Sequence, residues 1–113
     1  MRIAASVLAI LFALLHMIAA AVQFRSKDPA ARGFAVCMAS GGICAIIAAI
    51  FHLYWGAAGG NANLSDVTTL AIGCLLICAA AYMNGRRSGK VHVSHHLVRG
   101  GIGALLVIGF VIW

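Results

Sequence analysis

Residues 34–55 read FAVCMASGGICAIIAAIFHLYW, a run of 22 positions without one Asp, Glu, Lys or Arg. As an α-helix this run is roughly 33 Å long, enough to cross a hydrocarbon core of about 30 Å. Only a helix or a closed barrel satisfies every peptide group inside lipid. The run ends on His52-Leu53-Tyr54-Trp55, and aromatic side chains of this kind favour the membrane–water interface.

Immediately upstream, Asp28-Pro29 carries the chemistry of a helix start. An Asp carboxylate caps free amides, and Pro suits the first helical position. Downstream, Gly56, Gly59 and Gly60 are expected to break the helix. A short uncharged loop then leads to Asn63, Ser65 and Asp66, capping residues for a further helix. That helix is expected to stop at Asn84-Gly85.

Residues 3–24 form another apolar run of 22, in which His16 is the one ionisable side chain. A cleaved signal peptide is the alternative reading, with Arg2 as its basic start and Ala19-Ala20-Ala21 as its small-residue site. The run is longer than the usual apolar core of about 7–15 residues, and Arg25 and Lys27 follow it directly. Near the C-terminus, residues 100–113 are apolar but short, so a crossing must recruit residues from position 93 and take Arg99 with them. Arg99 would then snorkel to the interface, and Trp113 would anchor the far side. A re-entrant helix is the alternative for this segment.

The pattern predicts an all-α fold: an integral membrane bundle of four transmembrane helices at about 3–24, 34–55, 64–84 and 93–113, forming a single multi-pass domain over 1–113. Composition agrees. Of the 113 residues, 64% are hydrophobic and 9% are charged, against about 25% charged in soluble domains. So few charges cannot coat a water-soluble core. The net charge of +6 does not indicate a nucleic-acid partner, because the basic residues fall in short clusters between apolar runs. Arg25, Lys27 and Arg32 form one cluster; Arg86, Arg87 and Lys90 form the other. Clusters of this kind set topology and contact anionic lipid head groups.

Seven Lys and Arg residues lie in or beside the first and third connections, against Arg2 alone on the other side. The positive-inside rule then places the protein in the cell membrane with both termini outside. No internal repeat is evident beyond a shared plan of helix, basic loop and helix.

Helices in lipid associate through close backbone packing at small residues. On the second helix Cys37, Gly41, Ala45 and Ala49 recur every four positions, on one face. The third helix carries Ala71, Cys74, Cys78 and Ala81, and the fourth carries Gly100 and Ala104 beside Gly103. These stripes are expected to face the bundle interior, with Leu, Ile, Phe and Val facing lipid.

Candidate chemistry is sparse. Cys37, Cys44, Cys74 and Cys78, with His16, are weak candidates for a soft-metal or redox site. The cysteines lack tight Cys-x-x-Cys spacing and also serve as small packing residues. His16 and His52 differ in depth by about 13 Å, too far to share a metal. His16 is placed to approach His95 or His96 if the last helix tilts favourably. No acid lies deep in any apolar run: Asp28 and Asp66 both stand at helix starts. A proton-coupled transporter needs such an acid or an equivalent relay. No nucleophile–base–acid set or phosphate loop is apparent, and no cofactor is predicted. Asn63-Leu64-Ser65 matches a glycosylation sequon, a pattern that arises often by chance.

The leading expectation is a small non-enzymatic membrane protein that packs with itself or with a larger membrane partner. A small transporter or channel is the second. Its path would use His16, Ser40, Thr68, Thr69 and the cysteines. A metal- or haem-linked redox protein is the third.

Overall fold

The structure, a computed structural model, describes residues 2–59 and 63–112. It is all-helical. Four helices, α1 (Arg2–Phe24), α2 (Pro29–Ala57), α3 (Leu64–Arg87) and α4 (Val93–Ile112), run alternately up and down. Each is long and apolar enough to cross a membrane. The loop residues 60–62 and Trp113, the expected far-side anchor, lie outside the described residues.

The helix starts follow the expected chemistry. Asp28 caps α2: its Oδ1 accepts from the Ala30 amide at 3.0 Å, with Pro29 at the first position. Asn63 caps α3 through the Ser65 amide. The helix ends differ from expectation. Asn84-Gly85 does not stop α3, which continues to Arg87 and ends where Gly89 turns with φ +68°. Likewise α2 passes through Gly56 and ends before Gly59, at φ +73°. In both places the chain turns at the glycine that takes positive φ, a conformation costly for residues with a Cβ.

At the centre of the bundle, α2 packs along α1 on one side and α3 on the other. Gly41 and Gly73 mark the tightest crossing. A Cβ on Gly41 would stand 2.6 Å from the Gly73 carbonyl oxygen, and one on Gly73 would stand 2.7 Å from the Gly41 oxygen. The two backbones therefore touch directly. Against α1, Gly42 faces Ala13 and Met17. Much of the interior is alanine: Ala9, Ala13 and Ala20 on α1 and Ala35, Ala45, Ala48 and Ala49 on α2. The larger interior side chains are Phe12, Leu70, Ile77, Leu106 and Phe110. Many other large apolar residues, including Ile3, Leu15, Ile18, Val22, Leu75 and Leu105, lie on the outside. This distribution suits a hydrocarbon surrounding.

More loosely attached, α4 closes the bundle against α3 and α1. Of the residues in its most apolar stretch, 17% are buried, against 33% or 39% in the other helices. Gly103 meets Cys74 of α3, and Gly109 meets Ala5 of α1.

Candidate functional site

The two basic clusters come together at one end of the bundle. Arg25 and Lys27 sit between α1 and α2, and Arg32 lies in the first turn of α2. Arg86 and Arg87 end α3, and Lys90 precedes α4. All six are exposed. Arg87 grips Asp28 with two bonds, Nε to Oδ2 at 3.1 Å and Nη2 to Oδ1 at 3.2 Å. This pair joins the capped start of α2 to the end of α3, where each charge also opposes its helix dipole.

One turn or more deeper, His16 and Arg99 form a second polar contact. The His16 Nδ1–H donates to the Phe12 carbonyl at 2.7 Å. Its Nε2 accepts from the Arg99 Nε–H at 2.9 Å. This arrangement requires a neutral imidazole, protonated on Nδ1. The sequence pointed His16 toward His95 or His96 and left Arg99 free to snorkel. The helix register decides otherwise: Gly109 opposite Ala5 brings residue 99, not 95 or 96, level with residue 16.

Between the basic ends of α3 and α4 lies a recess of about 320 Å³. Asn84, Gly85 and Ser88 line one wall; Lys90, His92, His95, His96 and Arg99 line the other. No acidic side chain lines it. A neighbouring recess of about 340 Å³, sharing Asn84 and Ser88, contains the Asp28–Arg87 pair and is correspondingly less positive.

At the opposite end, packing assembles a layer that the sequence did not reveal. Gly56 lies beneath the Arg2 side chain, and the helix contacts carried one turn inward place Ser6, His52, Asp66 and Phe110 at one level. His52 stacks on Phe110, with ring centroids 4.1 Å apart. It also lies within electrostatic reach of Arg2 and Asp66. Ser6, His52 and Asp66 are buried, and Ser6 Oγ, His52 Nε2 and Asp66 Oδ2 have no hydrogen-bond partner among the described residues. Buried polar atoms in such a layer usually recruit water or one another. Only the register could have disclosed it, because the three residues are far apart in sequence.

The cysteines do not converge. Cys37 is exposed, Cys44 sits near Gly73, and Cys74 faces Gly103. Cys78 lies one turn from Cys74 along a groove between α3 and α4. All four are free thiols, and no group of three or more His, Cys, Asp or Glu among the described residues is placed to hold a metal ion. Of the residues named for a transport path, Ser40 and Thr68 are exposed, and the Thr68 hydroxyl donates to Leu64 O. Between the two polar layers the interior is apolar, with Ala9, Phe12, Ala13, Ala45, Leu70, Cys74 and Leu106 buried.

On the small-residue stripes, the structure places Gly41, Ala45 and Ala49 in the interior. Gly100 and Ala104 lie outside, and Gly103 takes the interior position on α4. The expected inward face of α4 is therefore corrected. Gly103 fits against Cys74, and a Cβ on Gly100 would meet nothing within 4 Å. Sequence reasoning also missed Gly73. A glycine amid the apolar stretch of α3 was its available signal.

In comparisons with known proteins, the chain matches no family model, no curated protein and no solved structure.

Proposed function

We propose that this chain is an integral protein of the cell membrane that crosses the bilayer four times, with its basic end in the cytoplasm and both termini outside. Its role is non-catalytic: it docks a transmembrane helix of another membrane protein onto the outer face of α4. The observation that carries this reading is the exposed small-residue surface of that helix. Gly100 and Ala104, together with Ala71, Cys74, Cys78 and Gly103, line a groove of about 450 Å³ between α3 and α4. Lipid gives helices no hydrophobic reason to associate, so a floor of small residues, which allows close backbone approach, is what such association uses.

Charge favours a different protein over a second copy as the occupant. The basic end carries Arg25, Lys27, Arg32, Arg86, Arg87, Lys90 and Arg99 against one acid, Asp28. A second copy in the same orientation would set like charges side by side, whereas a partner with acidic residues at that level would complement them. The transporter reading has less support, because the two polar layers are separated by about 15 Å of apolar interior.

A photo-crosslinking residue at position 104 tests the proposal in native membranes, with position 47 on the exposed face of α2 as control. The expected product is an adduct with a different membrane protein from position 104 only. Adducts of twice the chain mass would replace the partner with a second copy. Equal labelling at both positions would remove the docking face.

A further inference from the structure

We propose that the recess between the basic ends of α3 and α4 binds a phosphate group, held by Lys90, Arg99 and the imidazoles of His92, His95 and His96. The site does not depend on the docking face of α4, which lies deeper along the same helix.

Four features converge on this ligand chemistry. First, an open recess of about 320 Å³ gathers Lys90, Arg99 and three imidazoles around one space, with the amide of Asn84 and the hydroxyl of Ser88 on the facing wall. Second, its charge is uncompensated. The chain has two acids; Asp28 is engaged by Arg87 in the adjoining recess, and Asp66 lies in the first turn of α3, at the other end. Third, α4 begins at this point. His92, whose carbonyl accepts from the His95 and His96 amides in the first turn, lines the recess together with those two residues, so the recess lies beside the positive end of a 20-residue helix. Fourth, Arg99 is fixed. His16 takes its Nε–H and is itself tied to the Phe12 carbonyl, so the guanidinium holds its place at the deep wall with Nη donors remaining. His16 is therefore a positioning residue, and Arg99 a ligand-binding one.

Gly85 keeps the opposite wall open. A side chain there would begin 3.5 Å from His96 Nε2 and from Lys90 O, so anything larger than methyl would grow into the space. The imidazole of His96 is steadied by an edge-on contact with Tyr82, centroids 5.5 Å apart. A phosphate suits such a wall because its oxygens accept from ammonium, guanidinium and imidazole donors at once. Such a group can come from an anionic lipid head group or from free phosphate, and basic pockets between helices at a membrane surface hold lipid phosphates in this way.

The test uses the full-length protein in phosphatidylcholine nanodiscs, titrated separately with dioctanoyl phosphatidic acid and with inorganic phosphate. Ligand-dependent thermal stabilisation gives the apparent Kd. Saturable stabilisation by the lipid alone supports a head-group site, and by both probes a site that also takes free phosphate. Lys90→Gln should raise the Kd by about fivefold and Lys90→Gln/Arg99→Gln by about 25-fold, at the usual contribution of one cation near a membrane surface. Because Arg99→Gln also removes the His16 contact, Lys90→Gln/His95→Gln, at two exposed positions, provides the fold-neutral variant. Arg25→Gln/Arg32→Gln removes the same charge from the same end but outside the recess, and should change the Kd by less than about twofold. The proposal is overturned if neither probe gives a saturable response, or if the Arg25/Arg32 variant loses as much affinity as the recess variants.

Discussion

Adding one methyl group at Gly73 should separate the two best-packed helices of this bundle. The new Cβ would stand 2.7 Å from the Gly41 carbonyl oxygen and 3.1 Å from the Ala45 nitrogen. Both are backbone atoms on α2, so no rotamer change can relieve the contact. Ordinary van der Waals contact begins at 3.4 Å, so the helices must part by about 0.7 Å near this point. Overpacking of this kind costs about 1–3 kcal/mol. Alanine also gains up to about 1 kcal/mol in helix propensity over glycine, which partly conceals the steric cost. Gly100→Ala supplies the correction, because it carries the same propensity gain with nothing within 4 Å of the added carbon. Gly73→Ala should therefore be about 1–3 kcal/mol less stable than Gly100→Ala. The assay is equilibrium unfolding from mild detergent micelles by added denaturing detergent, followed by far-UV circular dichroism. Equal stabilities for the two variants would refute the backbone contact and, with it, the way α2 and α3 are joined.

Three further outcomes follow from particular contacts. His16→Leu should destabilise the bundle by about 1 kcal/mol by leaving the Arg99 Nε–H unpaired, and adding Arg99→Leu should recover that loss; a double-mutant cycle with no coupling would contradict the pair. Ser6→Ala should be neutral or stabilising by up to about 1 kcal/mol, since the buried Oγ has no partner among the described residues; a clear loss of stability would reveal a bound water or ligand in that layer. In detergent, a maleimide should modify exposed Cys37 well before buried Cys74, as peptide mapping over time would show; the reverse order would contradict the placement of α2.

The sequence made the number and extent of the helices legible because length and hydropathy are local properties. Residues 34–55 contain enough uninterrupted apolar chain to fix a helix, and Asp28-Pro29 announces its start without help from elsewhere. The helix ends were less legible. Asn84-Gly85 has the composition of a stop, yet tertiary packing carried α3 one turn further, to the point where Gly89 adopts positive φ. The inward face of α2 was readable because Gly41, Ala45 and Ala49 keep a four-residue period among larger neighbours. On α4, Gly100, Gly101, Gly103 and Ala104 point in several directions, so composition could not say which side meets α3. The two polar layers were hidden for a related reason. His16 meets Arg99 across 83 positions, and Asp66 reaches the level of His52 only once the register of α2 and α3 is set by Gly41 and Gly73. Charge placement along the chain gave the basic end, but not the recess that those charges line.

The most direct test of the whole account is two-sided labelling of intact cells with a membrane-impermeant thiol reagent. Single cysteines are introduced at Ala58, beyond the end of α2, and at Ser88, beyond the end of α3, in a background with the four native cysteines replaced by alanine. A bilayer-spanning bundle with its basic end inside predicts that position 58 reacts in intact cells and position 88 only after the membrane is opened. Reaction of both positions from the same side would contradict a membrane-crossing arrangement of α3.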